Sequence, residues 1–453
     1  MEEKGKVQEN KMGVMPENKL LISMAVPMML SMLVQALYNV VDSIFVSRIS
    51  EDALTAVSLA FPVQNLMIAF GAGTGVGINA LLSKSLGEKN QKMANKAAHN
   101  GIFLMIVTSI FCALFGIFGS YWFFTTQTDD VTIIEYGHQY LSIVMTFSFG
   151  LYGQFVTERL LQATGRTLYT MFTQGLGAII NIILDPILIF GMFGLPAMGM
   201  TGAAVATVIG QIIAALLGVW FNVQKNPDIQ LRIKEIRPDK EVIKKVYSVG
   251  VPSIIMGSIG SVMTYGMNRI LMGFSSTAAA VFGVYFKLQS FFFMPVFGLN
   301  NGMVPIIAYN YGARKKDRMM KTLRLSITYA VSIMIVGFLV MQIFPAQLFS
   351  LFEASEDMLA IGVPALRTIS ISFLFAGYCI IVGSMFQALG NGILSMIVSI
   401  ARQLVVLLPV AYLLSLSGNL NLIWLSFPIA EIASLTLSSI FLYRIYQKVI
   451  KPL

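Results

Sequence analysis

The dominant pattern in this chain is a series of long apolar runs separated by short polar segments. A membrane-spanning helix needs ~20 mostly apolar residues, whereas a strand of a membrane barrel needs only ~10 and alternates apolar with polar side chains. The runs are long and do not alternate, so we predict an all-α membrane protein with twelve transmembrane helices, some of them tilted or bent. The runs lie at about 20–47, 54–83, 97–124, 133–163, 168–192, 198–223, 243–273, 277–308, 322–349, 359–389, 393–416 and 421–446.

The second half of the chain repeats the first at an offset of about 225 residues. Matched positions are Pro27 and Pro252, Gln64 and Gln289, Gly77 and Gly302, Gly87 and Gly312, and the Gln-Ala-x-Gly segments at 162–165 and 387–390. Six spans per half give both halves the same orientation, which predicts two six-helix lobes related by a pseudo-twofold axis along the membrane normal. Parallel repeats of this kind occur in transporters, with the site near their interface. The predicted segments are 1–19 (N-terminal), 20–223 (N-lobe), 224–242 (linker), 243–447 (C-lobe) and 448–453 (C-terminal).

Composition and charge support a membrane location and predict its orientation. The 453 residues are 56% hydrophobic and 12% charged, with mean hydropathy +0.75, whereas a soluble protein carries about 25% charged residues. Basic residues concentrate in alternate loops, which are expected to face the cytoplasm. We therefore expect both termini and the linker to be cytoplasmic, the net charge of +9 to set topology, and nucleic acid not to be a partner. The opposite loops carry Glu51, Asp52, Asp129, Asp130, Glu353, Glu356 and Asp357, with Arg48 the main exception.

The polar N-terminal segment 1–19 is predicted to be frayed. It is not expected to be a cleaved signal peptide, because the first apolar run is too long for a signal and no small-residue cleavage site follows it.

Two acids inside the predicted spans are the main candidates for function, because ionisable groups in a membrane are costly. Asp42 and Asp185 each lie six residues before the outer end of a span, which places both ~9 Å below the surface. Gln35 and Asn39 share a helix face with Asp42, and Gln174 and Asn181 share one with Asp185. Such oxygen-rich faces suit a proton or a hard cation such as Na⁺. The alternative is that the two acids only hold helices together.

Pro186 follows Asp185 directly in the segment NIILDPILIF. A proline within a helix removes one hydrogen bond, which would free the Ile182 carbonyl and permit a kink.

The remaining intramembrane charges are open to more than one interpretation. Glu158 either pairs with the adjacent Arg159 or acts in binding or proton transfer, and Glu431 is a plausible partner for Arg402. Lys287 is a candidate counter-ion, substrate contact or gate, and Arg269 lies near the outer end of its span.

Several signals point away from an enzyme. The segment GAGTGVG at 71–77 lacks the Lys-Ser/Thr of a phosphate-binding loop and lies in an apolar run, which indicates close helix packing. Cys112 and Cys379 are expected to be unpaired core thiols. The two histidines, His99 and His138, and these cysteines do not form a metal-binding pattern, and no hydrolase motif occurs.

The chain resembles the multidrug and toxic compound extrusion (MATE) family over nearly its whole length. The resemblance is carried by Ala-Val-Pro at 25–27 followed by Asp42, by Asn-Ile-Ile-Leu-Asp-Pro at 181–186, and by Gly-Ala-Ala-x-Ala-Thr at 202–207. The prokaryotic branch that it is similar to has a first-lobe cation site, which implies Asp42, Asn181, Asp185 and Thr207. These four would be metal ligands only if the coupling ion is Na⁺. The Gln-Ala-x-Gly ending of span four, at 162–165, resembles a bacterial multidrug subgroup in which the glutamate of span four and the aspartate of span five are implicated in drug handling, which points to Glu158.

The chain departs from another branch of that family, which has carboxylates in spans seven and ten. This sequence has Asn268 and Arg269 in span seven and no acid within span ten, so a second-lobe cation site is not expected.

We therefore predict a cation-coupled antiporter that exports amphipathic, often cationic compounds, and the resemblance implies that it works by alternating access. No cofactor is expected beyond the coupling ion, H⁺ or Na⁺. We expect a multi-pass monomer in a bacterial or archaeal plasma membrane, with the lipid bilayer and small amphipathic substrates as its partners. The alternatives are a flippase for lipid-linked sugars, for which Arg269, Lys287 and Arg402 would supply a basic cavity, and a membrane enzyme or receptor.

Overall fold

A computed structural model describes residues 9–352 and 354–453, so predictions for residues 1–8 and for Glu353 lie outside it. Within those ranges the regular structure is helical, without strands. Short 3₁₀ segments at 233–235 and 370–372 and π segments at 401–407 and 446–450 complete it. The α-helices are α1 (Lys11–Val14), α2 (Glu17–Ser47), α3 (Glu51–Gly87), α4 (Gln91–Phe118), α5 (Ser120–Thr125), α6 (Val131–Thr146), α7 (Phe149–Ala163), α8 (Thr167–Phe190), α9 (Gly199–Gln224), α10 (Lys240–Met272), α11 (Ser276–Gly312), α12 (Lys316–Ile343), α13 (Pro345–Ser350), α14 (Glu356–Ile369), α15 (Phe373–Ala388), α16 (Gly392–Ile400), α17 (Leu408–Ser415), α18 (Leu420–Ile423) and α19 (Ser426–Ile445).

The predicted count of twelve membrane crossings is confirmed, although one crossing is broken. Eleven helical stretches in the described ranges are long and apolar enough to cross by themselves. The twelfth crossing consists of α6 and α7, which are separated by Phe147 and Ser148 and are each too short alone. At the break the Ser148 N–H bonds to the Met145 carbonyl and the Gly150 N–H to the Phe147 carbonyl, so the chain makes a tight turn of the i→i−3 type.

Glycines at equivalent positions of the two repeats let the lobes pack closely along a shared seam. The first repeat's α3 packs against α10, and the second repeat's α11 packs against α2. A Cβ on Gly302 would lie 2.8 Å from the Ala25 Cα, and one on Gly77 would overlap the Val246 carbonyl oxygen. The interpretation of the 71–77 glycines as a helix-packing segment is therefore confirmed.

The seam is closed where α3 and α11 end. A Cβ on Gly87 would overlap the Tyr309 carbonyl oxygen, and one on Gly312 would overlap the Lys84 carbonyl oxygen. These two glycines are again equivalent in the repeats. Because the N-terminal residues, the linker and the C-terminus lie on this side, we call it the basic side.

The described N-terminal residues attach to the N-lobe through one side chain. The Asn10 amide donates to the Thr164 carbonyl at 3.0 Å and to Asp228 Oδ1 at 3.2 Å. Its oxygen accepts from the Met12 N–H at 2.9 Å and so caps α1. All the hydrogen-bonding groups of this amide are therefore used.

The same residues attach to the C-lobe through their carbonyl groups. Asn310 donates to the Met12 carbonyl at 3.0 Å, and Arg318 donates to the Met15 carbonyl at 2.6 Å. The prediction of a frayed N-terminal segment is wrong for its described part, because both lobes bond to it. Sequence patterns missed this because the partners are distant in the chain.

Candidate functional site

Helix α8 carries the central acid of the N-lobe. Asp185 is 0% exposed, and Asn181 lies one helical turn before it at 2% exposure. The helix continues through Pro186, whose nitrogen cannot donate to the Ile182 carbonyl. It ends at Gly191, where φ is +72° and a residue with a side chain would be strained. The acid therefore faces the interior of the lobe.

Asn181 links Asp185 to Thr207 on the adjacent helix α9. With the amide oriented to satisfy all its neighbours, its nitrogen donates to Asp185 Oδ2 at 2.9 Å. Its oxygen then accepts from Thr207 Oγ1 at 3.1 Å and from the Thr207 N–H at 3.0 Å. The two helices can approach this closely because Gly177 faces Gly210, where a Cβ would lie 2.7 Å from the opposing carbonyl oxygen.

The structure places the carboxyl group of Asp42 on α2 beside that of Asp185. Asp42 is partly buried, and among the described residues the buried Oδ1 atom of each acid has no hydrogen-bond partner. Two ionised carboxylates in contact repel each other, and burying an unpaired charge is costly. The pair is therefore suited to take up a proton or a cation.

Two tyrosines complete the surroundings of this acidic pair. Tyr38 lies one turn before Asp42 on α2, and Tyr140 lies on α6 and receives a hydrogen bond from Gln64 Nε2 at 3.0 Å. Both tyrosine hydroxyls lie near the Thr207 side chain. The sequence analysis missed them, although the i−4 spacing of Tyr38 from Asp42 was an available signal.

A cavity of about 120 Å³ extends from this region into the N-lobe. Two buried amide oxygens on its wall, Gln174 Oε1 and Gln211 Oε1, have no hydrogen-bond partner in residues 9–352 and 354–453. They could accept hydrogen bonds from the N–H groups of a ligand. The cavity is lined by Gln35, Tyr38, Leu151, Gln154, Phe155, Glu158, Gln174, Gly177, Ala178, Asn181, Thr207, Gly210 and Gln211.

Glu158 forms the acidic end of the cavity. Its carboxylate accepts from Gln154 Nε2 at 2.9 Å, from Thr173 Oγ1 at 3.0 Å and from Gln174 Nε2 at 2.8 Å. The side chain is 3% exposed. Three neutral donors hold this carboxylate, and within the described residues no cation pairs with it, so its charge when ionised is available to a ligand.

The alternative of a Glu158–Arg159 ion pair is wrong. Arg159 instead donates to Gln162 Oε1 at 2.8 Å and, across the seam, to Asn301 Oδ1 at 3.3 Å. It therefore faces the other lobe rather than the cavity.

Two predicted cavity residues lie elsewhere. Asn39 is exposed on α2 and does not line the cavity. Lys287 is exposed on α11, with its ammonium group 5.9 Å from the centre of the Phe352 ring. The face shared by Gln35 and Asp42 runs instead through Tyr38, which is one position from Asn39 along the helix.

Two of the basic residues considered for a C-lobe cavity, Arg402 and Lys287, have other partners in the described part of the chain. Arg402 lies in the π segment and pairs with Glu431 at 3.2 Å, as predicted. With Arg402 paired and Lys287 against Phe352, the flippase alternative, which would need these two cations to face a substrate, is not favoured. Cys112 and Cys379 are buried and unpaired, as expected.

Cation binding at the acidic pair would depend partly on neutral oxygens. Over residues 9–352 and 354–453, no three His, Cys, Asp or Glu side chains group in a way that could hold a metal ion. Na⁺ would therefore require Asp42 and Asp185 together with the oxygens of Asn181 and Thr207, a donor set that suits a hard cation.

Comparison with known proteins finds relatives and related structures over nearly the whole chain. The chain is 28% identical to the multidrug export protein MepA of Staphylococcus haemolyticus, covering 95% of this chain and 94% of the relative. It is 29% identical to the probable multidrug resistance protein YoeA of Bacillus subtilis (94% and 92% covered) and 25% identical to an FAD transporter of Shewanella oneidensis (96% of each).

A solved outward-facing multidrug resistance MATE transporter of the MOP superfamily has the same fold. Its TM-score is 0.91 at 23% identity, with 99% of this chain and 100% of that chain covered. The MatE family model matches residues 27–187 and 252–413, one segment in each repeat. Because the matches cover most of both lobes, this protein belongs to the MatE family of membrane transporters.

Proposed function

We propose that this protein exports amphipathic, often cationic compounds and is driven by entry of H⁺ or Na⁺. The observation that carries the proposal is the continuous polar path in the N-lobe, from Glu158 along the cavity to Asn181 and the Asp42–Asp185 pair. The names of several relatives, multidrug export proteins, support the same substrate class. The acidic cavity favours a cation over an anion such as FAD, the substrate named for another relative.

Coupling would operate by competition for negative charge. A cationic substrate is held by Glu158 and, through the cavity, by the acidic pair. When a proton or Na⁺ occupies Asp42 and Asp185, the field that attracts the substrate weakens and the substrate leaves. A ligand shifts a conformational equilibrium only by binding the two states differently. Occupation of the acidic pair by a proton or Na⁺ must therefore also favour either the open or the closed state of the seam.

Alternating access would proceed by opening and closing this seam. The close contacts at Gly87 and Gly312 seal the basic side, which we propose is cytoplasmic in a bacterial or archaeal plasma membrane. The state described would then release substrate to the outside. In this proposal residues 20–223 and 243–447 form the two moving lobes, and 224–242 connects them.

Removing either acid of the pair tests the proposal. Asp42→Asn and Asp185→Asn should abolish drug resistance in cells that lack their own exporters, because neither the proton nor Na⁺ is then held. Asn39→Ala is the matched control, since Asn39 lies on α2 but outside the cavity. Equal membrane abundance of all variants must be verified. Wild-type resistance in both acid variants would refute the proposal.

The coupling ion can be identified in proteoliposomes. Substrate uptake should follow either an imposed pH gradient or an imposed Na⁺ gradient. Thr207→Val removes an oxygen that Na⁺ would need but leaves both carboxyl groups. It should therefore impair Na⁺-driven uptake strongly and proton-driven uptake less. Uptake that responds to neither gradient would exclude cation coupling.

A further inference from the structure

A cleft of about 460 Å³ lies on the basic side, between the first two turns of α4 and the linker. Its volume falls within the roughly 300–1,000 Å³ of small-molecule sites. It is separate from the N-lobe cavity and shares none of its residues. The cleft is lined by Lys92, Asn95, Lys96, His99, Lys234, Glu235 and Arg237.

Hydrogen bonds between α4 and the linker hold the walls of the cleft in place. Asn95 Oδ1 accepts from the Gln230 N–H at 3.0 Å, and Asn100 Oδ1 accepts from the Asp239 N–H at 2.8 Å. Between these two points, His99 Nε2 accepts a further linker N–H at 3.0 Å. The linker is therefore fixed along the helix, and these hydrogen bonds define the shape of the cleft.

The charged groups of the cleft divide into paired and unpaired ones. Lys96 lies 2.7 Å from Asp239, and this hydrogen bond holds the pKa of Asp239 below its usual value. Glu235 lies 3.4 Å from Arg232. Lys92, Lys234 and Arg237 have no carboxylate within 4.0 Å in the described part of the chain. These three are therefore free to bind an anion.

The position of the cleft is that of a membrane surface. Lys92 and Lys96 lie in the first two turns of α4, just before its apolar part begins near Gly101. Beside Lys234, the apolar side chain of Ile233 is 88% exposed. An exposed apolar residue among cations is typical of segments at the boundary between lipid headgroups and acyl chains.

We propose that this cleft binds a phosphate group, supplied either by the headgroup of an anionic lipid or by a free phosphate compound. Lys92, Lys234 and Arg237 would contact the phosphate oxygens, with Arg237 able to bind two of them at once. Basic pockets beside membrane helices bind lipid headgroups in this way. The proposal does not depend on the substrate or on the coupling ion.

The test uses the purified full-length chain in a neutral detergent. Retention of phosphatidylglycerol and of zwitterionic phosphatidylcholine is measured by native mass spectrometry, and thermal unfolding is followed with each lipid and with inorganic phosphate. The variant is Lys92→Gln/Lys234→Gln/Arg237→Gln. The control, Lys244→Gln/Lys245→Gln/Lys448→Gln, removes three exposed cations from the same side but outside the cleft.

We expect wild type and control to retain phosphatidylglycerol over phosphatidylcholine, and the cleft variant to bind it on the order of 100-fold more weakly. Stabilisation by inorganic phosphate alone, lost in the cleft variant, would instead identify a free phosphate compound as the ligand. The proposal fails if the cleft variant and the control lose binding equally. It also fails if wild type does not prefer phosphatidylglycerol and is not stabilised by phosphate, a comparison that requires no variant.

Discussion

The seal on the basic side should be sensitive to a single methyl group at Gly312. Gly312→Ala places a Cβ against the Lys84 carbonyl oxygen at a distance that real Cβ atoms do not show, and 3.2 Å from the Glu88 nitrogen. Both obstacles are backbone atoms, so no side chain can rotate away. The ends of α3 and α11 must then separate.

The expected magnitude follows from the cost of overpacking. Inserting a methyl group into a closely packed contact costs ~1–3 kcal/mol. Alanine also stabilises a helix relative to glycine by about 0.5–1 kcal/mol, but this gain is present whether the seam is open or closed. The conformational equilibrium should therefore shift towards opening on the basic side by about 5- to 150-fold.

A cysteine reporter can measure this shift. Ala80 lies on α3 one turn from Gly77 and from Lys84, and is 4% exposed, so Ala80→Cys should react slowly with a maleimide while the seam is closed. Adding Gly312→Ala should speed the reaction and reduce transport. Both native cysteines are buried, which keeps the background low.

The matched control is Gly283→Ala in the same helix. A Cβ at Gly283 would meet no atom of the described residues within 4 Å, so the same change of residue type adds helix stability without crowding the seam. Equal labelling rates for the reporter alone, with Gly312→Ala and with Gly283→Ala would refute the reasoning, because the seam would then not depend on this contact.

Three further predictions concern other contacts. Asn10→Ala removes two hydrogen bonds that attach α1 to the N-lobe, each worth ~0.5–1.5 kcal/mol. It should raise the labelling rate of the Ala80→Cys reporter about tenfold, and an unchanged rate would show that α1 does not stabilise the closed seam. Arg402→Met leaves Glu431 buried without its ion-pair partner and should lower the free energy of unfolding by up to ~3–5 kcal/mol. Adding Glu431→Met should recover most of this loss in thermal unfolding, and a double variant as unstable as the single one would contradict the reasoning. Neither native cysteine should react with a thiol reagent until the protein is denatured, and reaction of the folded protein would show that these thiols are accessible.

The membrane architecture could be predicted from the sequence because long apolar runs and a duplicated chain leave few alternatives. The break in span four could not, since Phe147 and Ser148 are ordinary residues for a helix and the turn depends on local hydrogen bonds. The proximity of Asp42 and Asp185 was predicted from equal depth, and the structure brings them together.

Side-chain direction around the cavity was harder to predict. Helical spacing places Gln35, Asn39 and Asp42 on one face, but such a face is wide. Only packing against the other helices decides that Tyr38 lines the cavity and that Asn39 does not. The partners of Glu158 were partly visible, since Gln174 was already a candidate. Gln154 and Thr173 were not, because a single polar residue in a span carries little information about its neighbours.

The break between α6 and α7 has a consequence for how the N-lobe could rearrange. Tyr140, beside the acidic pair, and Glu158, at the far end of the cavity, belong to one crossing but to separate rigid rods joined at Phe147 and Ser148. Bending at this point would let the cavity change volume near Glu158 while the Tyr140 hydroxyl stays in place beside the acidic pair. Residues 147 and 148 would then be the point of bending, and a variant that stiffens them should fix the cavity volume without altering any of the candidate ion- or drug-binding groups.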